Sequence, residues 1–151
     1  MTIKHILLVE DDPRDAKLTL AALNEFHLIN DVFVVNDGEQ ALDYLYCRGK
    51  FENRENGNPV AVLLDLKMPK VDGLEVLKTI KHDERLKNIP VVMLTSSRET
   101  PDLIECYNQG VNSYVVKPVE FGEFAKVVKN LGIFWVGVNE SPPDSVARLP
   151  I

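Results

Sequence analysis

Short apolar runs that end abruptly on polar side chains recur along this chain, spaced widely enough for a helix to lie between them. The segment Ile3 to Val9 closes with the apolar Ile6 to Val9 and meets Glu10, Asp11 and Asp12; Val60 to Leu64 meets Asp65. Val91 to Leu94 ends on Thr95, Ser96 and Ser97, and Ser113 to Val116 ends on Lys117 and Pro118. Val32 to Val35, broken by Asp37 and Gly38, supplies a fifth run. Such runs suit strands buried on both faces, as in a parallel sheet. Between them, apolar positions return at helical spacing. Ala16, Leu20, Leu23 and Phe26 follow Pro13, and Ala41, Leu42 and Leu45 lie within Glu39 to Tyr46. Leu74, Val76, Leu77 and Ile80 follow Asp72 and Gly73; Pro101 opens a segment to Asn108; Phe124, Val127, Val128 and Leu131 lie within Phe121 to Leu131. Five strand-and-helix pairs predict an α/β fold, a doubly wound five-stranded parallel sheet with helices on both faces.

The connections are less regular. Asn30 and Asp31 read as a turn, and Gln109 with Gly110 as a helix stop. Arg48 to Pro59 is polar and long for a helix-to-strand loop, so it predicts a mobile insertion. Lys81 to Lys87 is a polar helix end. Beyond Leu131 come Ile133, Phe134, Trp135 and Val136, then Pro142 and Pro143, a stretch that predicts a disordered or partner-ordered tail. The organisation expected is one domain over 1–131, with an insertion at 48–59 and an extension over 132–151.

Composition narrows the function. At 151 residues and 17.0 kDa, 45% hydrophobic and 26% charged, the chain suits a single soluble domain. No apolar run approaches the roughly 18 residues that a membrane span needs, and Met1 to Lys4 lacks signal-peptide features, so a cytoplasmic location without membrane contact is expected. Cys47 and Cys106 fall in no metal or redox spacing, which predicts free thiols. A net charge of -6 argues against a nucleic-acid surface. His5, His27 and His82 show no paired spacing for zinc.

In open α/β sheets the ligand crevice lies outside the carboxyl ends of the strands. Glu10, Asp11, Asp12, Asp65, Thr95 and Lys117 all fall there. Three adjacent acids repel one another; either a hard divalent cation such as Mg²⁺ gathers them, or they form a solvated loop that caps the next helix. A carboxylate beside a hard cation can attack phosphorus and form an aspartyl phosphate. In that reading Asp65 reacts, Lys117 neutralises a phosphoryl oxygen and the Thr95 hydroxyl donates to another. No histidine or cysteine sits at these strand ends to build a Ser-His or Cys-His hydrolase, and no glycine-rich phosphate loop is present.

Four stretches carry a resemblance to a known family: ILLVEDD at 6–12, LLDLKMPKVDGLEVL at 63–77, VVMLTSS at 91–97 and SYVVKP at 113–118. In that order they resemble the receiver domain of two-component response regulators. The resemblance implies a flavodoxin-like sheet of strand order 2-1-3-4-5. It implies that Asp65 accepts a phosphoryl group from a histidine kinase, in a reaction the domain itself catalyses without being a conventional enzyme. Glu10, Asp11, Asp65 and the main-chain carbonyl of Lys67 would hold Mg²⁺, leaving Asp12 as a loop and capping acid. Thr95 would swing toward the phosphoryl group and Tyr114 turn inward; the alternative for Tyr114 is an aromatic that simply packs. A cis peptide is implied before Pro118.

The insertion and the apolar extension are similar to features of small single-domain regulators that partner bacterial phytochrome-type kinases, notably cyanobacterial ones. Phe134 and Trp135 then suit either a homodimer or partner contact, or packing back onto the domain. With no room after residue 131 for a DNA-binding output domain, signalling would pass to a downstream protein partner. Three alternatives stand beside it: a phosphorelay intermediate using the same Asp65, a pseudo-receiver acting only as an interaction module, and a metal hydrolase. The last needs a general acid where the chain has Lys67.

Overall fold

In the computed structural model, which describes residues 2–25, 31–145 and 147–148, five parallel strands form one sheet. They are β1 (His5–Val9), β2 (Asp31–Val35), β3 (Ala61–Leu64), β4 (Val91–Thr95) and β5 (Ser113–Val116), in the spatial order β2-β1-β3-β4-β5. This is the predicted 2-1-3-4-5 order. The intervening helices are α1 (Pro13–Asn24), α2 (Gly38–Leu45), α3 (Gly73–His82), α4 (Thr100–Asn108) and α5 (Phe121–Gly132).

Alternation along each strand divides the core into two layers. Leu7 and Val9 of β1 point to the side of Ala41, Tyr44 and Leu45 from α2, Val76, Leu77 and Ile80 from α3, and Cys106 from α4. Ile6 and Leu8 point to the opposite side, where Ala22 and Leu23 of α1 meet Phe124 and Val128 of α5. Every β1, β3 and β4 side chain is buried, as continuous apolar runs require.

Four of the five helices begin on a carboxylate that accepts main-chain N–H groups: Asp12 for α1, Asp37 for α2, Asp72 for α3 and Glu120 for α5. Such caps contribute about 1 kcal/mol each. Two of the starts also need glycine. A Cβ at Gly73 would collide with the Asp65 carbonyl, and one at Gly38 with the Val71 carbonyl. The loop between β3 and α3 is therefore held against the starts of both α2 and α3.

Three regions differ from expectation. Lys4 interrupts the first strand, and Thr2–Ile3 pairs antiparallel with Ala147–Arg148 instead of extending β1. The 48–59 insertion is anchored: Gly49–Phe51 forms a 3-10 turn and buries Phe51 edge-on to Tyr44, with ring centroids 5.1 Å apart. Arg54 then lies over the Tyr44 ring at 4.1 Å and donates to the Tyr44 carbonyl at 2.9 Å. One aromatic and one arginine thus hold a stretch whose other residues are polar.

The extension also packs back. After α5 the chain continues through a π-helical segment, Ile133–Val138, that buries Val136 and packs Trp135 on the second core layer. Asn58 of the insertion donates its main-chain N–H to the Asp144 carbonyl at 3.0 Å. Phe26, His27 and Asn30, and the chain end at 149–151, lie outside the described residues.

Candidate functional site

The sheet ladder runs one residue past the strand ends, and this places the acids. Glu10 N–H donates to the Val35 carbonyl and Asp65 N–H to the Val9 carbonyl, both at 3.0 Å, so the residues following β1 and β3 come side by side. The Lys117 N–H likewise donates to the Thr95 carbonyl at 2.7 Å, bringing the residue after β5 to the end of β4. Four separate strand ends thus converge at one edge of the sheet.

Ligand oxygens of Glu10, Asp11 and Asp65 lie within 4.8 Å of one another. Glu10 is 3% exposed and the side chain of Asp65 12%. Burial, followed by the neighbouring Asp65 carboxyl, pushes Glu10 up to about 8, with Lys117 pulling the other way. Carboxylates packed this closely are costly unless a cation joins them, and three oxygen donors on hard carboxylates fit a hard divalent ion. Asp12 stands apart: its Oδ1 accepts from the N–H groups of Arg14 at 2.8 Å and Asp15 at 3.4 Å, and these bonds keep its carboxyl below the usual range.

The Lys117 ammonium, 9% exposed, reaches across the site. It pairs closely with Glu10 Oε1, lies 3.0 Å from Asp15 Oδ2 and 3.5 Å from Asp65 Oδ2. Burial opposes its charge, but the Glu10 hydrogen bond and the field of Asp65 outweigh that and hold it firmly protonated. Asp15 escaped the sequence reading. Its signal is its place in the first turn of α1, one helical turn beyond Asp12.

Contrary to the expectation of a cis bond before Pro118, the Lys117–Pro118 peptide is trans. Trans is the intrinsically favoured isomer even for proline, and with it Lys117 already reaches all three carboxylates.

Thr95 is 1% exposed, and its Oγ1 accepts the Ser97 N–H at 3.3 Å. Tyr114 packs partly buried on the first core layer, and its hydroxyl donates to the Ser97 carbonyl at 3.0 Å. Ser97 therefore joins these two side chains. Its hydroxyl also donates to Asp102 Oδ2 at 2.6 Å, and the same oxygen lies 3.7 Å from the Lys67 ammonium. Ser97 is marked in sequence only by its place beside Thr95, and Asp102 does not stand out, since an acid in a helix's first turn is common.

Beside Glu10 and Asp11 a cavity of about 390 Å³ opens between α1 and β2, lined by Pro13, Ala16, Leu20 and Val34. On the segment that follows α5, Phe134 is 47% exposed and packs edge-on to Trp135, with centroids 4.9 Å apart. Among the described residues, no helix is long and apolar enough to cross a membrane.

The family described as response regulator receiver domain matches residues 6–129. Response regulator Rcp1 of Synechocystis sp. is 38% identical over 133 residues, covering 88% of this chain and 89% of that protein. The crystal structure of its Mn(2+)-bound form has a TM-score of 0.87 and 37% identity, over 92% of this chain and 99% of that one. The phosphorylated cyanobacterial phytochrome response regulator RcpA has a TM-score of 0.88 and 38% identity, over 93% and 99%. The bacteriophytochrome response regulator RtBRR is 58% identical with a TM-score of 0.74, over 95% and 86%.

Proposed function

This chain belongs to the response regulator receiver domain family, and from that premise we propose that Asp65 takes a phosphoryl group from a phytochrome-type histidine kinase. The observation that carries the reading is the setting of Asp65. A partly buried carboxylate has an ammonium 3.5 Å away and two further acids close enough to share a cation. An Asp65 oxygen attacks phosphorus; the P–N bond of a phosphohistidine breaks, and its electron pair leaves with the imidazole, which takes up a proton. Lys117 turns from Asp65 to a phosphoryl oxygen, and Thr95 Oγ1 is placed to donate to another.

Glu10, Asp11, Asp65 and the Lys67 carbonyl would hold Mg²⁺, which when bound neutralises the carboxylates and the phosphoryl oxygens. The Mn(2+) bound to Rcp1 supports a divalent ion here. The domain promotes its own phosphorylation and dephosphorylation, acting as a signalling protein in the cytoplasm. The names of the similar structures RcpA, a cyanobacterial phytochrome response regulator, and RtBRR, a bacteriophytochrome response regulator, support the phytochrome-type partner. Phosphorylation would reorganise Thr95, Ser97 and Tyr114 and pass the signal to a downstream protein; Phe134 and Trp135 would serve a homodimer contact.

Phosphotransfer from a labelled phytochrome-type kinase tests the partner. Transfer that requires Mg²⁺ and is far faster than from unrelated histidine kinases is the expected result. Equal rates from all kinases would remove the phytochrome assignment, and no transfer from any would remove the kinase reading.

A further inference from the structure

Helix α4 begins differently from the other four. Its N-cap residue Glu99 makes no side-chain cap bond, whereas α1, α2, α3 and α5 are each capped by their own carboxylate. Helix α4 also buries only Cys106 and leaves Leu103, Ile104 and Tyr107 substantially exposed. With little burial and no cap, its position depends on whatever else ties its first turn.

That tie is Asp102. One oxygen, Oδ2, accepts the Ser97 hydroxyl at 2.6 Å and lies 3.7 Å from Lys67 Nζ. Ser97 Oγ in turn accepts the Glu99 N–H at 3.3 Å, which ties the residue just before the helix to the same group. The two groups that Asp102 holds come from the two loops flanking the reaction centre, two residues after Asp65 and two after Thr95. Both are donors, and each belongs to a loop that carries a residue of the site, Lys67 with Asp65 and Ser97 with Thr95, whose hydroxyl accepts the Ser97 N–H.

We propose that Asp102 is a latch: it holds Lys67 and Ser97 while Asp65 is bare, and loses them to the phosphoryl group, which frees the start of α4. This rests on Asp65 being the phosphoacceptor. The competition is electrostatic. A carboxylate with one negative charge faces a phosphoryl group carrying about two, and charge-assisted hydrogen bonds favour the stronger acceptor. Ser97 couples the release to the switch pair, because its N–H meets Thr95 and its carbonyl meets the Tyr114 hydroxyl. Asp102 is a positioning residue here, since it does not touch Asp65. By linkage, a contact present in only one state opposes the other, so removing it must favour phosphorylation.

The test uses the full chain with Mg²⁺ and fluoroberyllate, a phosphoryl mimic that binds a carboxylate, and compares wild type with Asp102→Asn and with Glu105→Gln on the same helix. Two quantities are read: fluoroberyllate affinity and amide hydrogen exchange over 100–109. Asp102→Asn should bind the mimic at least threefold tighter. Without the mimic, its α4 amides should already exchange at the rate wild type reaches only with it. Glu105→Gln should match wild type in both. Tighter binding with unchanged exchange would reduce the effect to net charge and overturn the latch, as would unchanged or weaker binding. If wild type fails to bind the mimic at all, the Asp65 reading falls, and slow wild-type-like exchange in Asp102→Asn then removes the latch independently.

Discussion

Lys117 is the residue on which most of the site's electrostatics turn. It is the cation that three carboxylates, Glu10, Asp15 and Asp65, share. Lys117→Ala should slow labelling of Asp65 by acetyl phosphate about a hundredfold, the usual scale for removing one preorganised charge-stabilising group. A wild-type rate would show that the ammonium faces the phosphoryl group without acting on it. His5 makes a second test at this scale. It is 1% exposed, neither ring nitrogen has a hydrogen-bond partner among the described residues, and burial with the nearby Arg54 lowers its pKa from 6.5 to about 4. The unfolded chain therefore takes up a proton that the folded chain refuses. Stability from this group is intact above about pH 6.5 and falls as pH drops toward 4, by about 3 kcal/mol in all. Denaturation of His5→Leu should lose that part of the acid sensitivity; a slope with pH identical to wild type would contradict it.

Elements were legible where the pattern was strong and misread where a few residues overruled composition. The strand ends carry the site, and their chemistry could be read because an apolar run stopping on an acid is a local signal. Ser113–Val116 was recovered to the residue. The insertion was misread because its anchoring comes from Phe51 and Arg54 meeting Tyr44 of α2, contacts that no local pattern encodes. The extension takes the packing alternative, since Val136 joins a core layer built from strands, α1 and the preceding α5, a choice that local pattern leaves open. Phe51→Ala should cost about 3 kcal/mol by removing a buried aromatic, read as a lower midpoint in urea. A change below about 0.5 kcal/mol would return the insertion to a loose loop. Lys67 and Ser97 can be noticed in sequence beside Asp65 and Thr95, but their shared partner Asp102 cannot, because the three lie on two loops and a helix that only the sheet brings together.

At the scale of the whole molecule, two helical layers on a parallel sheet leave one edge for chemistry and other surfaces for contact. Phe134 lies on the continuation of α5, with nearly half its area exposed. If that surface serves a homodimer, Phe134→Glu should shift sedimentation toward the monomer while acetyl phosphate labelling stays as in wild type. An unchanged profile would leave Phe134 as a surface residue of a domain that signals by other faces. The receiver assignment itself rests on the agreement of sheet order, the placement of Glu10, Asp11, Asp65, Thr95 and Lys117 at one edge, and the family match over residues 6–129.

The proposed signalling chemistry depends on an Asp65 oxygen being the atom that bonds to phosphorus. The most direct measurement is intact-mass analysis after incubation with Mg²⁺ and acetyl phosphate. Wild type should gain one phosphoryl group, and Asp65→Asn should gain none. A wild-type chain that stays unmodified, or an Asp65→Asn chain that still gains the group, would contradict it.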